Sequence, residues 1–142
     1  MSRHFTALCS LLIAGALAVT TALAQTPSAP NATVYIISPS DGATVSNPVT
    51  VRFGMRGMGV APAGVERAAT GHHHLLIDVD KLPPAGIPIP ADDKHVHFGG
   101  GQTEVTLDLI PGQHTLQLLL GDAMHIPHNP PVASGRITIT VK

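Results

Sequence analysis

The chain has 142 residues, with eight Lys plus Arg against nine Asp plus Glu and a formal net charge of −1 when histidine is neutral. That balance, with no clustered basic stretch, excludes an electrostatic nucleic-acid surface. One cysteine excludes an intrachain disulfide, and the absence of tryptophan, with one Tyr and three Phe, calls for a mostly aliphatic core.

Residues 1–24 read as a cleavable signal peptide. Arg3 and His4 give a weakly positive start, and Phe5 to Ala22 is uncharged and rich in Leu, Ile, Ala and Val. Ala22-Leu23-Ala24 then supplies a small-x-small cleavage pattern with Gln25 as the new N-terminus. A membrane anchor is the competing reading. The apolar run is near the lower spanning limit, however, and it ends in a cleavage pattern without a stop-transfer cluster. Cys9 lies inside the run, too early for lipidation at its end. Cleavage leaves 118 residues with seven Lys plus Arg, nine Asp plus Glu and eight of the nine histidines. The expectation is a periplasmic or secreted single domain without disulfides, thiolate ligands or a stable membrane anchor.

Residues 25–31, QTPSAPN, read as a flexible leader, and residues 32–142 as the domain. Thr33 to Ile37 is β-branched and aromatic, bounded by Asn31 and Pro39, and predicts a strand. Ser40-Asp41-Gly42 predicts a turn. From Val49 to Met55 the chain alternates, with Val49, Val51, Phe53 and Met55 inward and Thr50 and Arg52 outward. Residues 56–70 carry Gly57, Gly59, Pro62 and Gly64 and read as a loop, with at best a helical turn over Val65 to Ala69. His72 to Val79 is the next strand. Residues 80–94 form a long proline-rich loop, of the kind that often serves function in a small domain. Lys94 to Phe98 and a Gly99-Gly100-Gly101 link follow. Val105 to Leu109 alternates, Pro111-Gly112 turns the chain, and His114 to Leu120 is a core strand. After a second proline-rich loop, residues 121–134, the chain closes with alternating Ile137, Ile139 and Val141. About seven short strands separated by turn signals predict an all-β fold, a small immunoglobulin-like antiparallel β-sandwich, with a small barrel as the alternative.

Function concentrates in the histidines. Alternation puts His72 and His74 on one face of a strand and His73 with Leu75 and Ile77 on the other. Two imidazoles two residues apart on one face can chelate an ion, and His95 and His97 repeat that spacing. Two such pairs brought together would supply four nitrogen ligands, a set suited to copper or zinc. His125 and His128 lie three apart in a proline-braced loop, where Met124 adds a soft thioether that favours copper. Met58, in the glycine-rich loop, is a weaker candidate. The bland alternative is that these rings satisfy backbone groups or form an exposed polar run. His114 shares parity with Leu116 and Leu118 and reads as a buried structural hydrogen-bonder. Asp78 could orient a neighbouring imidazole, and Asp92-Asp93 reads as solvated charge. No serine elbow, zinc-protease helix or phosphate loop occurs, and Gly99-Gly100-Gly101 precedes a strand rather than a helix.

The segments GHHHLLID (71–78), HVHFGGGQTEVTLDLIPGQHTLQLLLGD (95–122) and HIPHNPPVASGRITITV (125–141) together resemble the bacterial domain-of-unknown-function family numbered forty-three ninety-nine. The resemblance spans Gly71 to Val141. It implies a short exported protein of one domain and unassigned activity. The matching histidines are His72, His73, His74, His95, His97, His125 and His128; the resemblance does not say what they bind and transfers no catalytic residue.

The reading is therefore a periplasmic binding module for a transition metal, copper before zinc, through these histidines and Met124. The alternatives are a small metal-dependent enzyme, or a structural or interaction domain whose histidines brace loops. Four closed ligands would favour binding, and three ligands beside a pocket would favour catalysis. Ligating imidazoles must be neutral, so affinity is expected to fall below about pH 6.5.

Overall fold

In the computed structural model, which describes residues 25–142, the alternating stretches are strands, and no helix occurs among the described residues. The signal-peptide reading of residues 1–24, with Cys9, lies outside the described residues. In chain order the strands are β1 (Thr33–Ser38), β2 (Thr44–Val45), β3 (Val49–Arg56), β4 (Gly59–Val60), β5 (Thr70–Ile77), β6 (His95–His97), β7 (Glu104–Leu107), β8 (Gly112–Gly121) and β9 (Ile137–Val141). One sheet has the order β1-β3-β7. The other has the order β2-β9-β8-β5-β4, with β6 also on β5. This arrangement is that of an immunoglobulin-like sandwich, three strands against a larger sheet centred on β8 and β5. The long ladders are antiparallel. Two brief pairings, β2 with β9 and β4 with β5, are parallel. Both involve two-residue strands, too short to show a period in sequence. The turn allowed over Val65 to Ala69 is not helical.

The core between the sheets is aliphatic. Val49, Val51 and Phe53 of β3 meet Leu75 and Ile77 of β5, Leu116, Leu118 and Leu120 of β8, and Ile139 of β9. Leu107 and Ile137 complete it as partly buried members, and Met55 and Met58 pack against it. Met58, a candidate ligand by composition, is therefore a packing residue. No disulfide joins the sheets. Burial of whole Leu and Ile side chains, each contributing about 1.5–3 kcal/mol, supplies the cohesion instead.

β5 departs from simple alternation. All residues from Gly71 to Ile77 are buried, because both of its faces are covered. His73, Leu75 and Ile77 face the core. Leu76 faces the other way, where it forms a second small core with Leu119 and Ile89, flanked by Val79 and Ala133. Ile89 comes from the 80–94 loop and Ala133 from the 121–134 loop. The two proline-rich loops thus fold over the outer face of β5 and β8, and the Leu-Leu and Leu-Leu-Leu runs register that double burial. Ile89 N donates to His125 O at 2.8 Å, tying one loop to the other.

His114 bears out its structural assignment. Its Nδ1–H donates to Asp78 Oδ2 and its Nε2–H to Ile110 O, both at 2.8 Å. Two acceptors facing one ring favour the imidazolium. Burial pulls its pKa down, but the Ile110 carbonyl and the Asp78 carboxylate outweigh this and raise it above the usual histidine value. Asp78 also accepts Thr115 N at 2.8 Å, so it serves this strand junction rather than the other histidines. His114→Ala is expected to cost about 1–2 kcal/mol, since Asp78 is partly solvated. Urea unfolding at neutral pH measures it.

Candidate metal centre

Three separate segments deliver imidazoles to one point on the outer face of the larger sheet. His72 and His74 come from β5, His97 from β6 and His125 from the loop after β8. One ring nitrogen of each lies within 4.8 Å of those of the other three. A tetrahedral ion ~2.0–2.1 Å from each nitrogen sets them roughly 3.4 Å apart, so small ring rotations close the site.

Local geometry explains the convergence. Strand parity puts His72 and His74 on the same face. One strand repeat is ~6.6–6.8 Å, yet their ring centroids are 4.8 Å apart, so the rings lean together. His97 is the direct cross-strand partner of His74, and their centroids are 5.2 Å apart. His125 closes the set from above, 5.0 Å from His72 and 4.8 Å from His97 by centroid. Its backbone sits at φ 65, a left-handed conformation that costs a β-carbon residue energy unless its surroundings impose it.

Two glycines make the room. A β-carbon on Gly121, which pairs with His72 across the sheet, would lie 2.7 Å from His74 Cε1. One on Gly99 would lie 2.3 Å from His97 Cε1. Both are incompatible with the rings where they stand.

The donors are kept in the neutral state that ligation needs. Burial pushes His72 down to about 4, helped by His125 and His97 and opposed by Asp122. Burial likewise takes His74 down to about 3, helped by His72, His97 and His125. His97 is lowered by burial and then by His125. His72 Nε2 and His125 Nδ1 share one hydrogen bond at 3.1 Å, one of the two carrying the proton. His72 Nδ1 and His74 Nδ1 are buried with no hydrogen-bond partner among the described residues. His72 is 0% and His74 1% exposed, whereas His97 is exposed, so solvent reaches the site from its side.

The remaining candidates are not brought into this group. His73 points into the sandwich core, edge-on to Phe53 with centroids 5.3 Å apart, and neither ring nitrogen has a partner. Burial lowers it to about 4. His95 lies one strand repeat beyond His97, opposite Leu76, and donates from Nδ1 to Asp92 Oδ1 at 2.8 Å. Asp92 also accepts the backbone N–H of Lys94 and His95. It is thus a loop cap rather than merely solvated charge. His128 is buried between two carbonyls, Thr70 O at 3.2 Å and Leu120 O at 3.5 Å. Met124 is 59% exposed and lines a separate cleft. The pairs that sequence spacing suggested are therefore divided. His72 and His74 stay together, while His97 joins them without His95 and His125 without His128. Sequence reasoning missed the two glycines and Asp122, which shapes the His125 turn. The Gly121-Asp122 pair following the Leu-Leu-Leu run is the only hint of two of them, and Gly99 shows only as part of the Gly99-Gly100-Gly101 link.

Comparisons with curated proteins and with solved structures return no match. Residues 51–142, which include all four converging histidines, match the family model described as a domain of unknown function, DUF4399, and the chain belongs to that family.

Proposed function

We propose that this domain binds one transition-metal ion outside the cytoplasm, copper in preference to zinc, through His72, His74, His97 and His125. The observation that carries the reading is the convergence of four imidazoles from three segments, with their ligand atoms within 4.8 Å of one another. Buried polar nitrogens without partners cost about 1–3 kcal/mol each. His72 and His74 each carry one such nitrogen; His73 in the core carries two without joining the group, so the reading rests on the convergence of the rings rather than on this cost. Copper is favoured because divalent copper heads the affinity series for nitrogen donors, and no cysteine lies among the described residues to shift the preference.

Binding is favoured over catalysis by the surroundings. A cleft of about 350 Å³ is walled by Thr26, Glu66, Arg67, Thr70, Asp122 and Met124, among others, and by none of the four histidines. Nor, among the described residues, does a carboxylate join the ligand group as a general base.

The test is metal analysis of the protein isolated from its own cells without a histidine tag, followed by titration of the stripped protein with Cu(II), Cu(I) and Zn(II). One copper ion per chain and a raised melting temperature are expected. No retained metal and no thermal shift with any of the three would overturn the reading.

A further inference from the structure

The segment read as a flexible leader lies along the loop that carries His125. Gln25 Nε2 donates to Pro127 O at 3.5 Å, Asn129 N donates to Thr26 O at 3.0 Å, and Ser28 N donates to Asn129 O at 3.1 Å. Pro27 and Asn129 form a parallel bridge. Beside this bridge, Thr26 Oγ1 donates to Asp122 Oδ2 at 2.7 Å.

Asp122 is the hub of the His125 turn. It is buried, and its other oxygen, Oδ1, accepts Met124 N and Ile126 N at 2.9 Å each. Its main chain closes the same turn. His125 N donates to Asp122 O, and Asp122 N donates to Ile126 O, both at 2.9 Å. One carboxylate oxygen therefore shapes the turn, and Thr26 occupies the other. A turn holding a histidine at φ 65 depends on such over-determination. If the carboxylate rotated, the N–H groups of Met124 and Ile126 would lose their acceptor. The His125 ring would then drift from His72 and His97.

We propose that the N-terminal segment is a strap that sets the fourth ligand, with Thr26 as a positioning residue acting through Asp122 on His125. The proposal rests on the metal-binding reading above. It assigns a function to residues that touch no imidazole of the site, and it makes the segment preceding β1 part of the metal centre.

The test compares Thr26→Val, which keeps the shape and removes the hydroxyl, with Thr26→Ser, which keeps the hydroxyl. Copper affinity is read by competition titration, and the ligand field by electron paramagnetic resonance of the Cu(II)-loaded protein. Thr26→Val is expected to weaken binding on the order of tenfold, as loss of an outer positioning partner does, and to alter the spectrum. Thr26→Ser is expected to restore both. Asp122→Asn, which keeps an acceptor oxygen but not the charge, is expected to weaken binding further. If the unaltered chain binds no copper, the metal reading falls and the strap falls with it. If the unaltered chain binds copper and Thr26→Val matches it in affinity and spectrum, the strap alone is overturned. A Thr26→Val protein that melts lower when metal-free yet gives the unaltered spectrum would overturn it too, as would failure of Thr26→Ser to rescue.

Discussion

Replacing His74 by leucine is expected to abolish metal uptake while leaving the metal-free domain as stable as before or more so. The two effects share one cause. His74 is fully buried, with an Nδ1 that nothing among the described residues satisfies, and leucine fills similar space without a polar atom. Removing an unpaired buried polar group recovers about 1–3 kcal/mol, offset in part by imperfect packing against Gly121. The same change deletes one of the proposed ligands, so the loss of affinity should exceed the ~10–100-fold typical of outer partners. In the unaltered protein, if copper binds as proposed, a thousandfold excess over its dissociation constant would contribute ~4 kcal/mol, a rise in melting temperature of about 10–20 °C. That rise should vanish in His74→Leu. Paired melts with and without copper measure both effects. Two controls sharpen the result. His73→Leu lies on the opposite face of the same strand and should retain the copper-induced rise. His95→Ala should retain it as well, since that ring is committed to Asp92. Undiminished copper binding by His74→Leu would remove His74 from the site.

Which parts of this arrangement could be seen in the sequence follows from the range of the forces involved. Strand parity is local, so the separation of His72 and His74 from His73 was legible, as were the inward Val51, Phe53, Leu75, Leu118 and Ile139. The consecutive leucines of β8 are consistent with burial on both faces, but which loops cover the outer face was not legible. The pairing of His74 with His97 was not legible, because it depends on the register between β5 and β6. A shift of one residue would send the ring of His97 to the opposite face. The same pleat that brings His97 in carries His95 one repeat away, so a shared spacing did not mean a shared site. Loops have no period at all. Nothing in the spacing of His125 and His128 foretold that the Asp122 turn would lift one ring over the cluster while the other filled a gap between the carbonyls of Thr70 and Leu120. The small residues were opaque for a related reason. Gly99 and Gly121 matter through the volume they leave to rings distant in sequence.

Acid is expected to act on this domain in two stages that the metal separates. In the metal-free protein His72 and His73 titrate at about 4 and His74 at about 3, against ~6.5 in the unfolded chain. Between those values the unfolded state binds more protons, so stability rises with pH. The contribution of these rings is fully present above about pH 6.5 and is lost as the pH falls toward about 4 and 3, where the folded state begins to protonate too. Acidification through that range costs roughly 3 kcal/mol for one fully buried imidazole such as His73. That is a large share of the ~5–15 kcal/mol that holds a domain together. His114 runs in the opposite sense. Its raised pKa gives a contribution that is complete below about pH 6.5 and is lost as the pH climbs through its folded value. The metal-free protein should therefore be most stable near or just above neutrality, with its steep flank on the acid side. Copper bound as proposed would change that flank, because a lone pair donated to the metal is not open to a proton. The sequence alone suggested that affinity would fall below about pH 6.5, as it would for ordinary imidazoles. The depressed values of His72, His74 and His97 weaken proton competition, so copper should remain bound near pH 6 and leave only toward about pH 4–5. Melting temperatures from about pH 4 to 8, with and without copper, together with equilibrium dialysis, would measure both stages. Metal release centred at about 6.5 would show that the rings behave as solvated histidines. A metal-free stability that stays flat down to about pH 4.5 would show that burial does not hold them neutral.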